Sequence, residues 1–286
     1  MTRTLSRAGL LVTAALLTLA ALAGCGTSDD SSPAPSPSAS SSVSSSASPS
    51  TTPTSATPPP SPADDACYRL TFDQALAPTT QTGSVPCTRP HTTQTYAVGR
   101  LSTVVDGHLL AVDSDAVRRQ VAQTCPARLA GYLGGSVDDV RLSMLRAVWF
   151  TPTVEQSDAG ASWYRCDVIA VGGPDRLLPL DGQLKGILTT DRADDYAMCS
   201  TAQPGTDGFQ RVACSEDHSW KALRTVALPA GAYPGEEKAK AAGQTICRDA
   251  GRDVADDALD YQWGYEWPTK DEWASGQTYG ICWAPD

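Results

Sequence analysis

The pattern of apolar and polar positions in residues 64–180, here called the first half, predicts both strands and a helix. Residues 91–101 are rich in β-branched and aromatic side chains, which is typical of a strand. Ser114 suits the start of a helix, and apolar residues then recur every four positions, at Val117, Val121, Cys125 and Leu129. We therefore expect a helix whose buried face carries Cys125. Two more strands are predicted, at residues 140–150 and 163–171, around a loop at Gly160.

The same order of elements is predicted in residues 190–286, the second half. Residues 219–228 favour a strand, and Pro234 suits the first turn of a helix that runs to about Asp253 and carries Cys247. Four aromatic residues then alternate with polar ones, which predicts a strand with one aromatic face: Tyr261, Trp263, Tyr265 and Trp267. Each half thus reads as strand, helix and two strands. This order predicts an α+β fold, with a small antiparallel sheet packed on a helix in each half.

Matching spacings relate the two halves to each other. A run of Pro152, Thr153, Gly160, Trp163 and Cys166 recurs without a gap as Pro268, Thr269, Gly276, Tyr279 and Cys282. Upstream, His91 follows Cys87 by four residues, as His218 follows Cys214. A match of this length indicates two tandem copies of one module, at 64–180 and 190–286.

The first 63 residues have a different composition and predict export and anchoring. Residues 1–24 have a short basic start and an apolar run, and they end before Cys25 in a pattern that resembles the lipobox of bacterial lipoprotein signals. That resemblance implies cleavage after Gly24 and diacylglycerol, with acyl chains such as palmitate, on the Cys25 thiol. The alternative is a plain signal peptide or a signal anchor.

The stretch that follows Cys25 predicts a spacer. Residues 26–63 are almost wholly Ser, Pro, Thr and Ala, so they cannot bury a core and are expected to be disordered. Segment 25–63 would therefore tether the folded part to the extracellular face of the cell membrane through the lipid, and stable anchoring takes two or more acyl chains.

Eight cysteines fall in the two copies, and in an exported chain they are expected to form disulfides. If each copy pairs internally and in the same way, three patterns remain open. We favour pairing of nearest neighbours, which gives Cys67–Cys87, Cys125–Cys166, Cys199–Cys214 and Cys247–Cys282.

The net charge of the chain is −10, and it is concentrated in the second half. Residues 64–180 carry 12 acids and 10 arginines, whereas residues 191–286 carry 17 acids and nine Lys or Arg. This acidity argues against nucleic acid as a partner and against direct binding to anionic lipid headgroups.

Histidines offer the first candidate chemistry. His91 and His218 hold equivalent positions, so they would either form a shared ligand or proton-transfer site, or hydrogen-bond a nearby turn and fix the start of a strand. We favour the turn, because neither copy has a second histidine or a nucleophile at useful spacing. His108 follows a predicted turn at Asp106 and Gly107 and is expected to be exposed. The sequence has no C-x-x-C, zinc, H-E-x-x-H, G-x-S-x-G or phosphate-loop motif, so no enzyme, metal or cofactor is predicted.

Tryptophans of the second half are the candidate binding residues. The aromatic face with Trp263 and Trp267 would either stack on sugar rings or pack on the helix as core, and the polar opposite face favours the core. Trp273 and Trp283 lie outside that strand and are expected to be the more exposed rings.

A family resemblance emerges from the cysteine framework. Cys67, the run Val85-Pro86-Cys87-Thr88-Arg89-Pro90-His91, a helix cysteine and the run Trp163-Tyr164-Arg165-Cys166-Asp167 together resemble the septum-formation domain of actinobacterial envelope proteins. The second half departs from this pattern, with Asp217 before His218 and the ending Tyr279-Gly280-Ile281-Cys282-Trp283. Gln94 and Lys221 stand where the family commonly has an acid. The resemblance implies an exported, membrane-attached protein with a part in septation, and no catalytic mechanism.

These observations predict a non-enzymatic lipoprotein of the cell envelope whose two modules bind a division protein or another envelope protein. The alternative is a lipoprotein that binds carbohydrate or peptidoglycan through the second-half aromatics. An enzyme with an unrecognised site would need a cleft that joins His91 or His218 to several acids.

Overall fold

The computed structural model describes residues 57–286 of the chain. The predicted signal peptide, Cys25 and most of the predicted spacer lie outside the described residues, so what the sequence indicates for them stays a prediction. Within the described part, no helix is both long and apolar enough to cross a bilayer.

The first half builds a four-stranded antiparallel sheet. Its strands have the order β1-β2-β6-β5, and β3 and β4 form a separate hairpin. In chain order its elements are β1 (Cys67–Tyr68), α1 (Phe72–Leu76), β2 (Thr93–Arg100), β3 (Val104–Val105), β4 (His108–Leu109), α2 (Asp115–Leu133), α3 (Val137–Arg141), β5 (Leu145–Phe150), α4 (Val154–Asp158) and β6 (Trp163–Ala170).

Helix α2 confirms the four-residue pattern of the sequence. Ser114 is its N-cap residue, and the residues buried on its inner face are Val117, Val121, Cys125, Leu129 and Leu133. The helix ends at Gly134, whose φ of 81° lies in the left-handed region that glycine adopts at low cost.

Strand β5 begins later than the sequence indicates, because residues 137–141 form α3. Ser136 and Asp139 make a capping box, in which Asp139 N donates to Ser136 Oγ (3.1 Å) and Ser136 N donates to Asp139 Oδ2 (2.7 Å). The prediction of a strand from residue 140 is therefore wrong for its first five residues. The predicted loop before β6 likewise contains a short capped helix, α4.

The second half builds a five-stranded antiparallel sheet after two 3₁₀ turns, Ile187–Thr189 and Asp191–Tyr196. Its strands have the order β10-β11-β9-β7-β8. The elements are β7 (Met198–Ser200), β8 (Arg211–Ala213), β9 (Trp220–Ala227), α5 (Glu236–Val254), β10 (Gly264–Glu266), α6 (Lys270–Ala274) and β11 (Tyr279–Pro285). The predicted strand over residues 261–267 is thus shortened to three residues.

The two halves follow the same route through their sheets. In each, the strand with the first cysteine pairs with a long strand, and that strand pairs with the final strand, which in turn pairs with the third. A 19-residue helix, α2 or α5, joins the long strand to the third. Thr153 and Thr269 cap the short helices α4 and α6 through equivalent capping boxes. The α+β fold with antiparallel sheets is confirmed, and its reading as a duplication with module bounds at 180 and 190 stays an interpretation.

One hydrophobic core joins the halves. Leu129, Leu133 and Leu145 of the first half belong to the same buried cluster as Met198, Ile281 and Trp283 of the second. We refer to this cluster as the shared core.

The four predicted disulfides are confirmed: Cys67–Cys87, Cys125–Cys166, Cys199–Cys214 and Cys247–Cys282. Two of them tie the long helix of a half to its final strand, α2 to β6 and α5 to β11. The other two tie the first strand of a half to the segment before its spacing-matched histidine, His91 or His218.

Candidate functional site

Both equivalent histidines hold a turn in place. His91 Nδ1 donates to the Arg89 carbonyl (2.9 Å), and His218 Nδ1 donates to the Glu216 carbonyl (2.7 Å). This contact is the one that the interpretation as a turn-fixing residue predicts. The rings differ in their surroundings, because His91 is fully buried whereas His218 is partly exposed and its Nε2 lies 2.9 Å from Asp286 Oδ2. The backbone bond and Asp286 both raise the pKa of His218.

Among the described residues, two cysteines and a histidine lie close enough together to suggest a metal site, but the two cysteines form a disulfide with each other. The ligand atoms of Cys199, Cys214 and His218 lie within 4.8 Å of one another. The two sulfurs are bonded to each other, and a metal binds the thiolate form of cysteine. In the disulfide form this group therefore offers one imidazole and no thiolate.

The aromatic face predicted for the second half is mostly core. Tyr265 is buried and donates from its hydroxyl to the Ala239 carbonyl (3.0 Å), and Trp263 and Trp267 pack against the same cluster as Cys247. Lys240 Nζ lies 5.1 Å from the centroid of the Trp267 ring.

The two remaining tryptophans behave differently from each other. Trp273 Nε1 donates to the Gly231 carbonyl (3.1 Å), and its ring packs on Tyr233. The prediction that Trp283 is exposed is wrong, since it is fully buried in the shared core with Phe209 packed against it edge-on. Trp283 lies on β11, and its ring therefore cannot contact a ligand in this fold.

A buried ion pair distinguishes the first half from the second. Arg165 Nη2 lies 2.9 Å from Asp167 Oδ2, and Thr95 Oγ1 donates to Asp167 Oδ1 (2.8 Å). The guanidinium also covers the rings of Tyr68, at 3.8 Å, and Phe150, at 4.5 Å. Burial raises the pKa of Asp167 to about 6, although Arg165 and Thr95 oppose the rise.

The equivalent place in the second half is apolar. Counting from the matched cysteines and histidines, Ile281, Trp283 and Ala222 stand where Arg165, Asp167 and Thr95 stand in the first half. The pairing is preserved, because Asp167 is opposite Thr95 and Trp283 is opposite Ala222. The ion pair is therefore specific to the first half. In the sequence, Arg165 and Asp167 are visible only as part of the family-like ending, which assigns them no role.

A cleft of about 680 Å³ opens between the two halves. We call it the central cleft. Its first-half wall comes from α2, α3 and β5, and its second-half wall comes from β8 and the segment between α6 and β11. The side chains used below are Pro126, Val137, Val140, Arg146, Trp149 and Tyr279.

Three arginines line the central cleft, and two of them are neutralised. Arg211 Nη2 lies 2.8 Å from Glu266 Oε1, and Arg141 Nη1 lies 3.0 Å from Asp138 Oδ1. Arg141 also lies over the ring of Tyr279, 4.3 Å from its centroid. Asp138 in turn accepts from Thr225 Oγ1 (2.7 Å), which lowers the pKa of Asp138 and links the two halves.

Arg146 is the third arginine, and its partners are backbone carbonyls. Its Nη1 donates to the carbonyls of Leu145 (2.7 Å) and Ser143 (2.8 Å). Among the described residues, no carboxylate lies within salt-bridge distance of it. Burial lowers the pKa of Arg146, and Arg211 lowers it further, while Tyr279 acts in the opposite direction.

The predicted site residues do not meet in this cleft. Its walls come from elements far apart in the sequence, so no local motif marks it. The one available signal is Arg146 within a predicted strand, where a charged residue calls for a partner that the neighbouring sequence does not supply.

Comparison with known proteins gives one family. The model of a family described as septum formation matches residues 65–282, which is more than half of the chain. No curated protein and no solved structure matches the chain. The match covers both halves, from two residues before Cys67 to Cys282. This chain therefore belongs to the septum formation family.

Proposed function

We propose that this protein is a non-enzymatic, lipid-anchored binding protein of the cell envelope that engages a protein partner during septum formation. The observation that carries the proposal is the family match over residues 65–282. Cys25 would hold the acyl chains, and residues 26–63 would hold the folded part away from the outer face of the cell membrane.

A binding role is supported by the contacts of the histidines and cysteines, which are the candidate reactive side chains. Both turn histidines are committed to backbone carbonyls, and the eight cysteines of the folded part are committed to disulfides. The central cleft offers apolar walls and the guanidinium of Arg146, which pairs with no carboxylate among the described residues, and these are features of a recognition surface.

Carbohydrate binding through the second-half tryptophans is the weaker proposal. A stacking platform needs several ring faces open to solvent in one row. Trp283 is fully buried, and Trp263 and Trp267 pack against the core of α5.

The position of the protein in dividing cells tests the septal role. With a fluorescent tag fused at Asp286, we expect the signal to concentrate at division sites, since the partner is proposed to act there. A tagged lipoprotein that carries only Cys25 and the spacer serves as the control, and it should outline the whole cell. An even outline for the complete protein as well would contradict the septal role.

Changing Cys25 to serine is expected to release the protein from the membrane. Each buried methylene of an acyl chain contributes about 0.8 kcal/mol, so loss of two or three chains removes the anchor. Most of the variant should move from the membrane fraction to the medium, whereas Thr27→Ala should stay membrane-bound.

The mass of the purified variant makes this result unambiguous. If the variant stays in the membrane fraction and its mass includes residues 1–24, the uncleaved signal peptide holds it there. In that case, incorporation of labelled fatty acid into the unmodified protein tests lipidation. Failure of the unmodified protein to incorporate the label would rule out lipidation at Cys25.

A further inference from the structure

We infer that the central cleft binds an extended protein segment in which an Asp or Glu side chain lies between apolar residues, with the carboxylate paired to Arg146. The inference rests on the proposed function, because it names the class of partner segment that such a binding protein would hold.

The guanidinium of Arg146 has hydrogen-bond donors left for a carboxylate. Its Nη1 is held by backbone carbonyls, and no hydrogen bond from Nε or Nη2 to another described residue is present. A guanidinium presents its donors in a planar fork that matches a carboxylate in two parallel hydrogen bonds. Arg146 is half-buried, so a partner that covers the guanidinium removes its charge from water and has to supply a carboxylate to pair with it.

The neighbouring charges are the second step. Arg211 and Arg141 already hold Glu266 and Asp138. Glu272, which also lines the cleft, accepts from Thr269 N (2.8 Å) and Thr269 Oγ1 (2.9 Å) in the cap of α6. Of the three arginines in the cleft, Arg146 is therefore the one that can pair with a carboxylate of the partner. A polyanion would need several free cations and would be repelled by a chain of net charge −10.

The walls are the third step. The cleft wall beside Arg146 carries exposed or half-buried apolar side chains on the α2 side, where Pro126 lies, and on the α3 side, where Val137 and Val140 lie. Val137 is 58% exposed, so it leaves apolar surface for a partner to cover. Apolar surface on both sides of the guanidinium favours an acid within a segment over an acid at its end.

Two matched peptides test the inference with the full-length protein in detergent. Both are acetylated and amidated, with the sequences Ala-Leu-Asp-Leu-Ala and Ala-Leu-Asn-Leu-Ala, and binding is measured by calorimetry. We expect the Asp peptide to bind at least tenfold more tightly, since hydrogen bonds to charged groups contribute more than neutral ones. Equal affinities, no binding of either, or a preference for Ala-Leu-Ala-Leu with a free terminal carboxylate would each overturn the inference.

Two pairs of variants place the binding site. Arg146→Gln should remove the preference for Asp, whereas Arg118→Gln, at an exposed arginine of α2, should keep it. Arg146 also hydrogen-bonds backbone carbonyls at the start of β5, so its replacement changes local structure as well as charge. Val137→Glu tests the binding site without removing these hydrogen bonds. It puts an acid at the first residue of α3, where a helix favours one, and should weaken the Asp peptide several-fold. Val154→Glu makes the same change at the first residue of α4, away from the cleft, and should leave binding unchanged.

These measurements are independent of the position of the protein in cells. A septal signal without peptide selectivity would remove the inference and keep the proposed function. Selective binding of the Asp peptide without a septal signal would contradict the septal role and keep the inferred binding site.

Discussion

Replacing Asp167 with alanine is expected to lower the free energy of unfolding by about 3–5 kcal/mol, because a buried guanidinium is left without its counter-charge. The side chains of Arg165 and Asp167 are 4% and 0% exposed, so water cannot take over the role of the carboxylate. Denaturant unfolding of the oxidised protein measures the loss. Asp158→Ala, at the end of α4, removes an acid outside the core and should change stability little.

The second half suggests the companion variant. Arg165→Ile with Asp167→Leu gives the first half an apolar pair, as Ile281 and Trp283 are in the second. Replacing both members of a buried pair with apolar residues is often neutral or stabilising, so this double variant should be more stable than Asp167→Ala. A double variant no more stable than Asp167→Ala would contradict this expectation. A double variant less stable than the unmodified protein would show that the ion pair is a net source of stability.

The same carboxyl makes stability depend on pH. Its folded pKa of about 6 lies above the ordinary value of 3.8, so the folded state holds a proton between these values that the unfolded state has lost. The contribution of Asp167 to stability is therefore largest below pH 4 and falls as the pH rises through 6. Asp167→Asn should flatten this part of the stability profile, and an unchanged slope would contradict the assignment.

Removing the Cys125–Cys166 disulfide by changing both residues to alanine is expected to cost about 4 kcal/mol. A cross-link stabilises mainly by restricting the unfolded chain, and the restriction grows with the length of the closed loop. This bridge spans a sequence separation of 41 and ties α2 to β6. Both half-cystines are fully buried, so the loss of packing adds to the effect.

The Cys199–Cys214 bridge provides the matched comparison. Its sequence separation is 15, for which the same relation gives about 3 kcal/mol. Chemical denaturation of the two alanine pairs should therefore rank the longer bridge as the more stabilising. The reverse order would show that local strain or residual structure in the unfolded chain outweighs loop length.

Elements with a local signature were predictable from the sequence. The four-residue recurrence that ends in Leu129 defines the buried face of α2. Equal spacing in the two halves left three cysteine pairing patterns, and pairing of nearest neighbours selected the observed one. Family membership followed from the same cysteine framework, which is local in each half.

Features that depend on contact between the halves were not predictable. Trp283 is predicted to be exposed because it lies outside the aromatic strand of the second half, whereas its burial depends on first-half residues such as Leu129. The strand over residues 261–267 looks longer than it is, since packing against α5 rather than strand pairing holds Trp263 and Trp267. Arg146 and Arg211 lie on strands of different sheets and far apart in the sequence, so the cleft that they share has no sequence motif.

The shared core also has a genetic consequence. Ile281 and Trp283 lie on β11, the last strand of the second sheet in chain order, yet they pack with Leu129 and Leu145 of the first half. A premature stop codon even in the last strand would therefore strip apolar cover from both halves. Alleles of this gene that end early are expected to behave as complete losses of the folded protein, and none should yield a working single half.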